Sequence, residues 1–284
     1  MTENDRMNVL VAGGGVAAIE AMLALRDLAG DRVSMTLVAP QEDFHYRPLS
    51  VGEPFSLGHA LSLPLATVAR DVGAELRQDS LAAVDPDAHS ARLESGAILS
   101  YDALLVAIGA RRISALQHTR TFRGQEDSES VHGLIQDIEG GYSRRIVFVV
   151  PAGAVWALPI YELALMAAQR AYEMSLTDLS LTIVTPEESP LGIFGGAASD
   201  DLQRMLDEAG IAIETSARAE IPGSGTVILH PHGKVLEADR IVALPITTPI
   251  AIEGLPRDRD GYIPVDAHGR VDGADDVYAA GDGT

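Results

Sequence analysis

Cysteine is absent from all 284 residues. Disulfides, thiolate metal sites, persulfide chemistry and any redox-active C-x-x-C pair are therefore excluded. No apolar run is long enough to cross a bilayer, although hydrophobic residues make up 46% of the chain, so no transmembrane segment is expected and the composition is that of a soluble globular protein. The opening MTENDRMN lacks the basic start and apolar stretch of a secretory signal, and a cytoplasmic location follows as the default. Basic residues are scarce, 21 against 41 acidic ones, for a formal net charge of -20. Such a surface opposes phosphate backbones and anionic lipids, which argues against nucleic acid as a partner. The closest histidines, His230 and His232, flank Pro231 in an HPHG turn, and no metal is assigned to them.

The length suits two modest domains, each with its own core. Asn8 to Ala12 reads as a buried strand that runs straight into glycines, and Ala18, Ala21, Met22, Leu25, Leu28 and Ala29 then recur at helical spacing before Gly30. Met35 to Val38 supplies a second strand and completes a βαβ unit. The pattern returns: SMTLVAPQE begins at Ser34 and SLTIVTPEE at Ser180, with RRIVFVV and LPIYELALMAAQ standing as strand and helix ahead of the second copy. Two βαβ halves predict two nucleotide-fold domains. Between them, Leu81 to Val84 and Ala91 to Leu99 read as short strands, YDALLVAIGA as a buried strand ending in a glycine turn, and RGQEDSESVHGLIQDIEGG as a polar helical crossing.

Gly13, Gly15 and Ala18 fit G-x-G-x-x-G/A between a strand and a helix. The first glycine permits the tight turn, the second lets a pyrophosphate approach the backbone, and the small third residue lets helix and strand pack closely. The helix start then offers free N–H groups and a positive dipole end. The acidic residue expected at the end of the second strand is missing, since that position is Ala39, with Glu42 and Asp43 following in the loop.

Three motifs together, VAGGGVAAIEA, YDALLVAIGA and DDVYAAGDGT, resemble the two-dinucleotide-binding-domain flavoproteins, or pyridine nucleotide-disulfide oxidoreductases. The likeness is nearest to the branch of sulfide:quinone reductase, type II NADH dehydrogenase and flavocytochrome c sulfide dehydrogenase. The resemblance implies an α/β fold with a doubly wound, Rossmann-like FAD domain, residues 1–115 and 255–284, into which a degenerate NAD(P)-binding-like domain, 116–254, is inserted. It implies FAD as cofactor, with Gly13, Gly15, Val16 and Ala18 at the pyrophosphate, the Leu81 backbone facing the adenine, Ala107 and Gly109 closing over the nucleotide, and Gly281 and Asp282 at the ribityl or phosphate region. Arg47 and Pro48 in FHYRPL are candidates beside the flavin. Ile108 stands where the family has threonine. In the family the G-D pair leads into a helix and a further C-terminal domain; this sequence stops two residues after Asp282, and weak retention of FAD is expected.

The second half departs further. Aligned on the strands, Gly13 is expected to match Pro151, Gly15 to match Gly153 and Ala18 to match Trp156, which would set the only tryptophan against close helix packing. Glu162 resembles the family's helix glutamate near the flavin. The expected function is an FAD-dependent oxidoreductase without a redox-active disulfide, passing electrons between a small-molecule donor and an acceptor such as a quinone. Two alternatives stay open: a non-catalytic nucleotide-binding or interaction protein with a decayed redox site, and an NADH-dependent flavin dehydrogenase. A homo-oligomer is likewise open. No catalytic acid, base or nucleophile is assigned.

Overall fold

A computed structural model describes residues 6–284, which divide into two compact units. The first takes residues up to His45, Ser62–Arg111 and Thr248–Thr284; the second takes Tyr46–Leu61 and Arg112–Thr247. The segment Tyr46–Leu61 thus groups with the second unit, whereas the sequence reading kept all of 1–115 in the first.

In the first unit β1 (Met7–Ala12) leads into α1 (Val16–Ala29) and β2 (Val33–Val38), and the short β3 (Asp43–His45) and β4 (Ser62–Pro64) form a hairpin. α2 (Leu65–Asp71), β5 (Ala74–Arg77), the antiparallel meander β6 (Leu81–Asp85), β7 (Ser90–Leu93) and β8 (Ile98–Ser100), and then β9 (Ala103–Val106) follow. The stretch 91–99, read from sequence as one strand, is two, because Gly96 at φ +88° turns the chain between them.

The chain leaves through β10 (Ala110–Ser114) and builds the second unit from β11 (Arg120–Thr121), α3 (Ser128–Glu139), β12 (Arg145–Val149), α4 (Leu158–Glu173), β13 (Ser180–Val184), α5 (Gly196–Glu208) and β14 (Ala212–Glu214). The meander β15 (Arg218–Gly223), β16 (Thr226–His230) and β17 (Lys234–Glu237) precedes β18 (Arg240–Ala243). β19 (Pro245–Pro249) leads back to β20 (Val277–Ala279). α3 is no polar crossing: Val131, Leu134, Ile135 and Ile138 are buried in the second unit's core.

Each unit holds a five-stranded parallel sheet, in the orders β20-β9-β1-β2-β5 and β11-β18-β12-β13-β14. The two repeat one plan, with a meander in place of the crossover helix before β9 and before β18. Strand alternation explains why the central strands are apolar throughout. Val9 and Val11 of β1 join Ala18 and Met22 of α1 in one core, while Leu10 and Ala12 face the meander residues Val84 and Leu93. β12 does the same: Ile146 and Phe148 pack with Leu163 and Ala167 of α4, and Val147 and Val149 pack with Val227 and Leu229. Each fully buried valine, leucine, isoleucine, phenylalanine or methionine among them contributes about 1.5–3 kcal/mol.

Candidate functional site

The carboxyl ends of β1, β9 and β20 each open into a glycine turn, and the turns interlock. Gly13 follows β1 at φ +121°, and a Cβ built on it would lie 2.1 Å from the carbonyl oxygen of Ala107, just past β9. Only glycine fits there. A Cβ on Gly283 would lie 3.1 Å from the carbonyl oxygen of Gly109, and one on Gly281 would lie 3.3 Å from the Ala17 Cβ. Backbone bonds fix the frame: Gly13 N donates to Val38 O (2.8 Å), Ala107 N to Ala12 O (2.7 Å), Ala280 N to Val106 O (3.1 Å) and Ile263 N to Gly283 O (3.0 Å).

Gly15 differs from its neighbours. It is the extended N-cap of α1, and a Cβ on it would meet nothing within 4 Å. No side chain caps the helix and no acid occupies its first turn, so the first-turn amides, without intrahelical acceptors, face open space with the positive end of the helix dipole. Val16 is 53% exposed beside them, and Ala18 is fully buried where the helix meets the sheet. Crevices at the carboxyl ends of parallel strands are where open α/β sheets take ligands.

The first unit therefore brings together Gly13, Gly15, Val16, Ala18, Ala107, Gly109, Gly281 and the exposed Asp282. Leu81 opens β6 with its side chain buried among Ala12, Val38 and Leu93. Ala39 is fully buried, and its amide donates to Arg77 O (3.1 Å). A polar group that sequence reasoning missed stands nearby: Gln41 Oε1 would be 3.4 Å from a Cβ on Gly14. Nothing in the motif signals it, because Gln41 lies outside the fingerprint.

Arg47 and Pro48 belong to the second unit, exposed at the start of a 3₁₀ segment, Arg47–Phe55. Arg47 stands in a cluster of cations that the sequence did not disclose. Burial holds the Arg112 guanidinium below its usual range, with Arg47 and then Arg123 adding repulsion. Arg112 donates to the Arg123 carbonyl and pairs with Glu126 at 3.4 Å, and Arg123 pairs with Asp127 at 3.3 Å.

In the second unit the strand registers correct the expected alignment. Val149 pairs with Val184 as Ala12 pairs with Val38, and Val150 N donates to Val184 O (2.9 Å) as Gly13 N donates to Val38 O. Gly13 thus matches Val150, and Pro151 falls at Gly14. Three residues, 13–15, separate β1 from α1, but eight, 150–157, separate β12 from α4. Trp156 consequently precedes the helix. It is 48% exposed and meets Phe194 edge to face at 5.5 Å rather than wedging helix from strand. Glu162 is half-buried, and burial alone raises its carboxyl above the ordinary range.

Among the described residues no cluster of metal-ligating side chains occurs, and no helix is long and apolar enough to cross a membrane. The sequence model of the pyridine nucleotide-disulphide oxidoreductase family matches residues 7–284. A sulfide-quinone reductase of Aquifex aeolicus is 25% identical over 216 residues, 71% of this chain and 48% of the relative, so the chain spans about half the length of that protein. Solved structures share the fold. The sulfide:quinone oxidoreductase of Aquifex aeolicus superposes with a TM-score of 0.88 at 20% identity, over 98% of this chain and 68% of its own. NDH2 from Plasmodium falciparum gives 0.78 at 15%, over 98% and 64%. A ferredoxin reductase from Rhodopseudomonas palustris gives 0.73 at 24%, over 98% and 68%.

Proposed function

Because the chain belongs to the pyridine nucleotide-disulphide oxidoreductase family, whose members are FAD-dependent oxidoreductases, we propose that its first unit binds FAD and serves electron transfer from a small-molecule donor to an acceptor such as a quinone. One observation carries the reading: three glycine turns interlock at the strand ends, while the space over Gly15 stays open before an uncapped helix start. An open cradle of amides fits a pyrophosphate.

FAD, when bound, supplies the two-electron chemistry. The chain's own residues bind and orient. The amides at Gly15 and Val16 would hold the pyrophosphate, and buried Ala18 keeps the helix start close to the sheet. The turns at Ala107, Gly109 and Gly281 give the nucleotide a backbone wall. Asp282 would bind the ribityl or phosphate region, and the Leu81 backbone would face the adenine. Arg47 and Pro48 are retained as flavin contacts on the strength of the family likeness. These 284 residues contain no cysteine and themselves supply no dithiol relay.

Titration of the purified protein with FAD, followed by flavin fluorescence and absorption, tests the reading. Saturable binding that weakens at least about tenfold in Gly15→Ala, with a smaller loss in Arg47→Ala, is expected. Absence of saturable FAD binding would remove the proposal.

A further inference from the structure

In the second unit the position that a nucleotide fold uses to hold a ribose is occupied by the protein itself. Thr185 follows β13 as Ala39 follows β2, its amide donating to Glu214 O (3.0 Å), so Glu187 matches Gln41. The Glu187 carboxylate turns inward. Its Oε2 accepts the Tyr161 hydroxyl at 2.6 Å and the Thr185 hydroxyl at 2.9 Å. Tyr161 is fully buried on α4, and burial, then Glu187, pushes its phenol well above the ordinary range. The strand-end position that would accept a ribose diol is thus Thr185, which has no carboxylate and whose hydroxyl is spent on Glu187.

The phosphate side is altered independently. Val150 replaces the first glycine, and Pro151 has no amide hydrogen to give. Ala154 N is spent on Pro151 O (3.1 Å), Pro159 lies in the first turn of α4, and Ile160 N is spent on Ala157 O (3.1 Å). The two loops that carry these residues, 151–162 and 185–201, contain Glu162, Glu187, Glu188, Asp200 and Asp201 and no lysine or arginine. A pyrophosphate would enter a field of its own sign, facing a loop in which Pro151 offers no amide hydrogen and the Ala154 and Ile160 amides are already spent.

We propose that the second unit rejects pyridine dinucleotides, and that Tyr161, as a positioning residue holding Glu187 for the fold's own use, and Pro151 set this specificity. The inference deepens the flavoprotein reading by narrowing the donor to molecules that are not pyridine nucleotides. It is tested on nucleotide binding alone, so loss of the FAD proposal would leave it standing.

The experiment titrates the full chain, with the first unit's cradle filled by saturating FAD or blocked by Gly15→Ala, with ADP-ribose and with NADH by calorimetry. Wild type should show no saturable binding up to about 1 mM, and Pro151→Gly/Tyr161→Phe, with its native circular dichroism retained, should bind at least about tenfold more tightly. Saturable wild-type binding below about 100 μM overturns the proposal, as does a folded double variant with no gain. Single Glu187→Ala and Tyr161→Phe variants decide the matter if the double variant does not fold. Each should lower the thermal midpoint, with Glu187→Ala combined with Tyr161→Phe costing little more than either alone, and folded Tyr161→Phe should bring ADP-ribose binding into the measurable range whereas no gain in it overturns the proposal. Saturable wild-type binding that Glu187→Ala abolishes would show that the carboxylate serves a ligand, and would overturn the assignment.

Discussion

Gly13 and the Ala107 carbonyl are so close that a Cβ on the glycine would sit 2.1 Å from that oxygen, on a backbone already at φ +121°. Gly13→Ala must therefore move β1 against β9 or distort the turn. A loss of about 3 kcal/mol or more is expected, read as a lower denaturation midpoint with or without FAD.

Gly15→Ala separates binding from folding. Its backbone is extended at φ -91° and its Cβ position is open, so the thermal midpoint of the apoprotein should stay within about 2 °C of wild type. The methyl group would occupy the space over the helix-start amides, and FAD affinity should fall as stated above. A midpoint drop as large as that of Gly13→Ala would show that the space over Gly15 is structural rather than a cradle.

Trp156, the only tryptophan, reports on the second unit. Half-exposed beside Phe194, it should be quenched readily by acrylamide, and Phe194→Ala should shift its emission to longer wavelength. Trp156→Gly should leave FAD affinity unchanged. A tenfold loss would place the residue in flavin binding.

Glu162 and Asp239 give opposite pH signatures. Burial raises the folded pKa of Glu162, so its contribution is full below the unfolded value and declines as pH rises through the folded one. Glu162→Gln should consequently raise the thermal midpoint at pH 7 and lose that gain near pH 4.

Asp239 is held down to about 2, first by the Arg145 side chain and then by the amides of Arg144 and Arg145 at 2.8 and 2.9 Å. Its contribution is present above the unfolded value and lost as pH falls from about 4 towards 2. Asp239→Asn should lower the midpoint at pH 7 and cease to matter near pH 2. Thermal denaturation at the two pH values checks both signs.

Much of the fold was legible because it rests on local periodicity. Continuous apolar strands, a glycine-started helix and the Ser34 and Ser180 repeat are short-range signals, and β2 and β13 lie where the repeat put them. The glycine turns were legible singly, but not their interlock, which depends on three strands distant in sequence meeting at one sheet edge. The one-residue slip that set Gly13 against Pro151 has the same cause. Strand register is fixed by pairing partners, and only the match of Val149 to Val184 reveals it. Gln41, the arginine cluster and the Tyr161–Glu187 bond left no motif, since each is a contact made by ordinary residues at irregular spacing.

The two sheets fill their outer position from opposite ends of their units: β11 precedes the rest of its sheet in sequence, whereas β20 follows the whole of the second unit. A ribosome thus delivers every strand of the second sheet by residue 243, while β9 still waits for 277–279. Synthesis proceeds far more slowly than a domain of this kind collapses. The inserted half can consequently be the first to reach a finished sheet, and the glycine crevice, which needs Gly281 and Gly283, forms only after it.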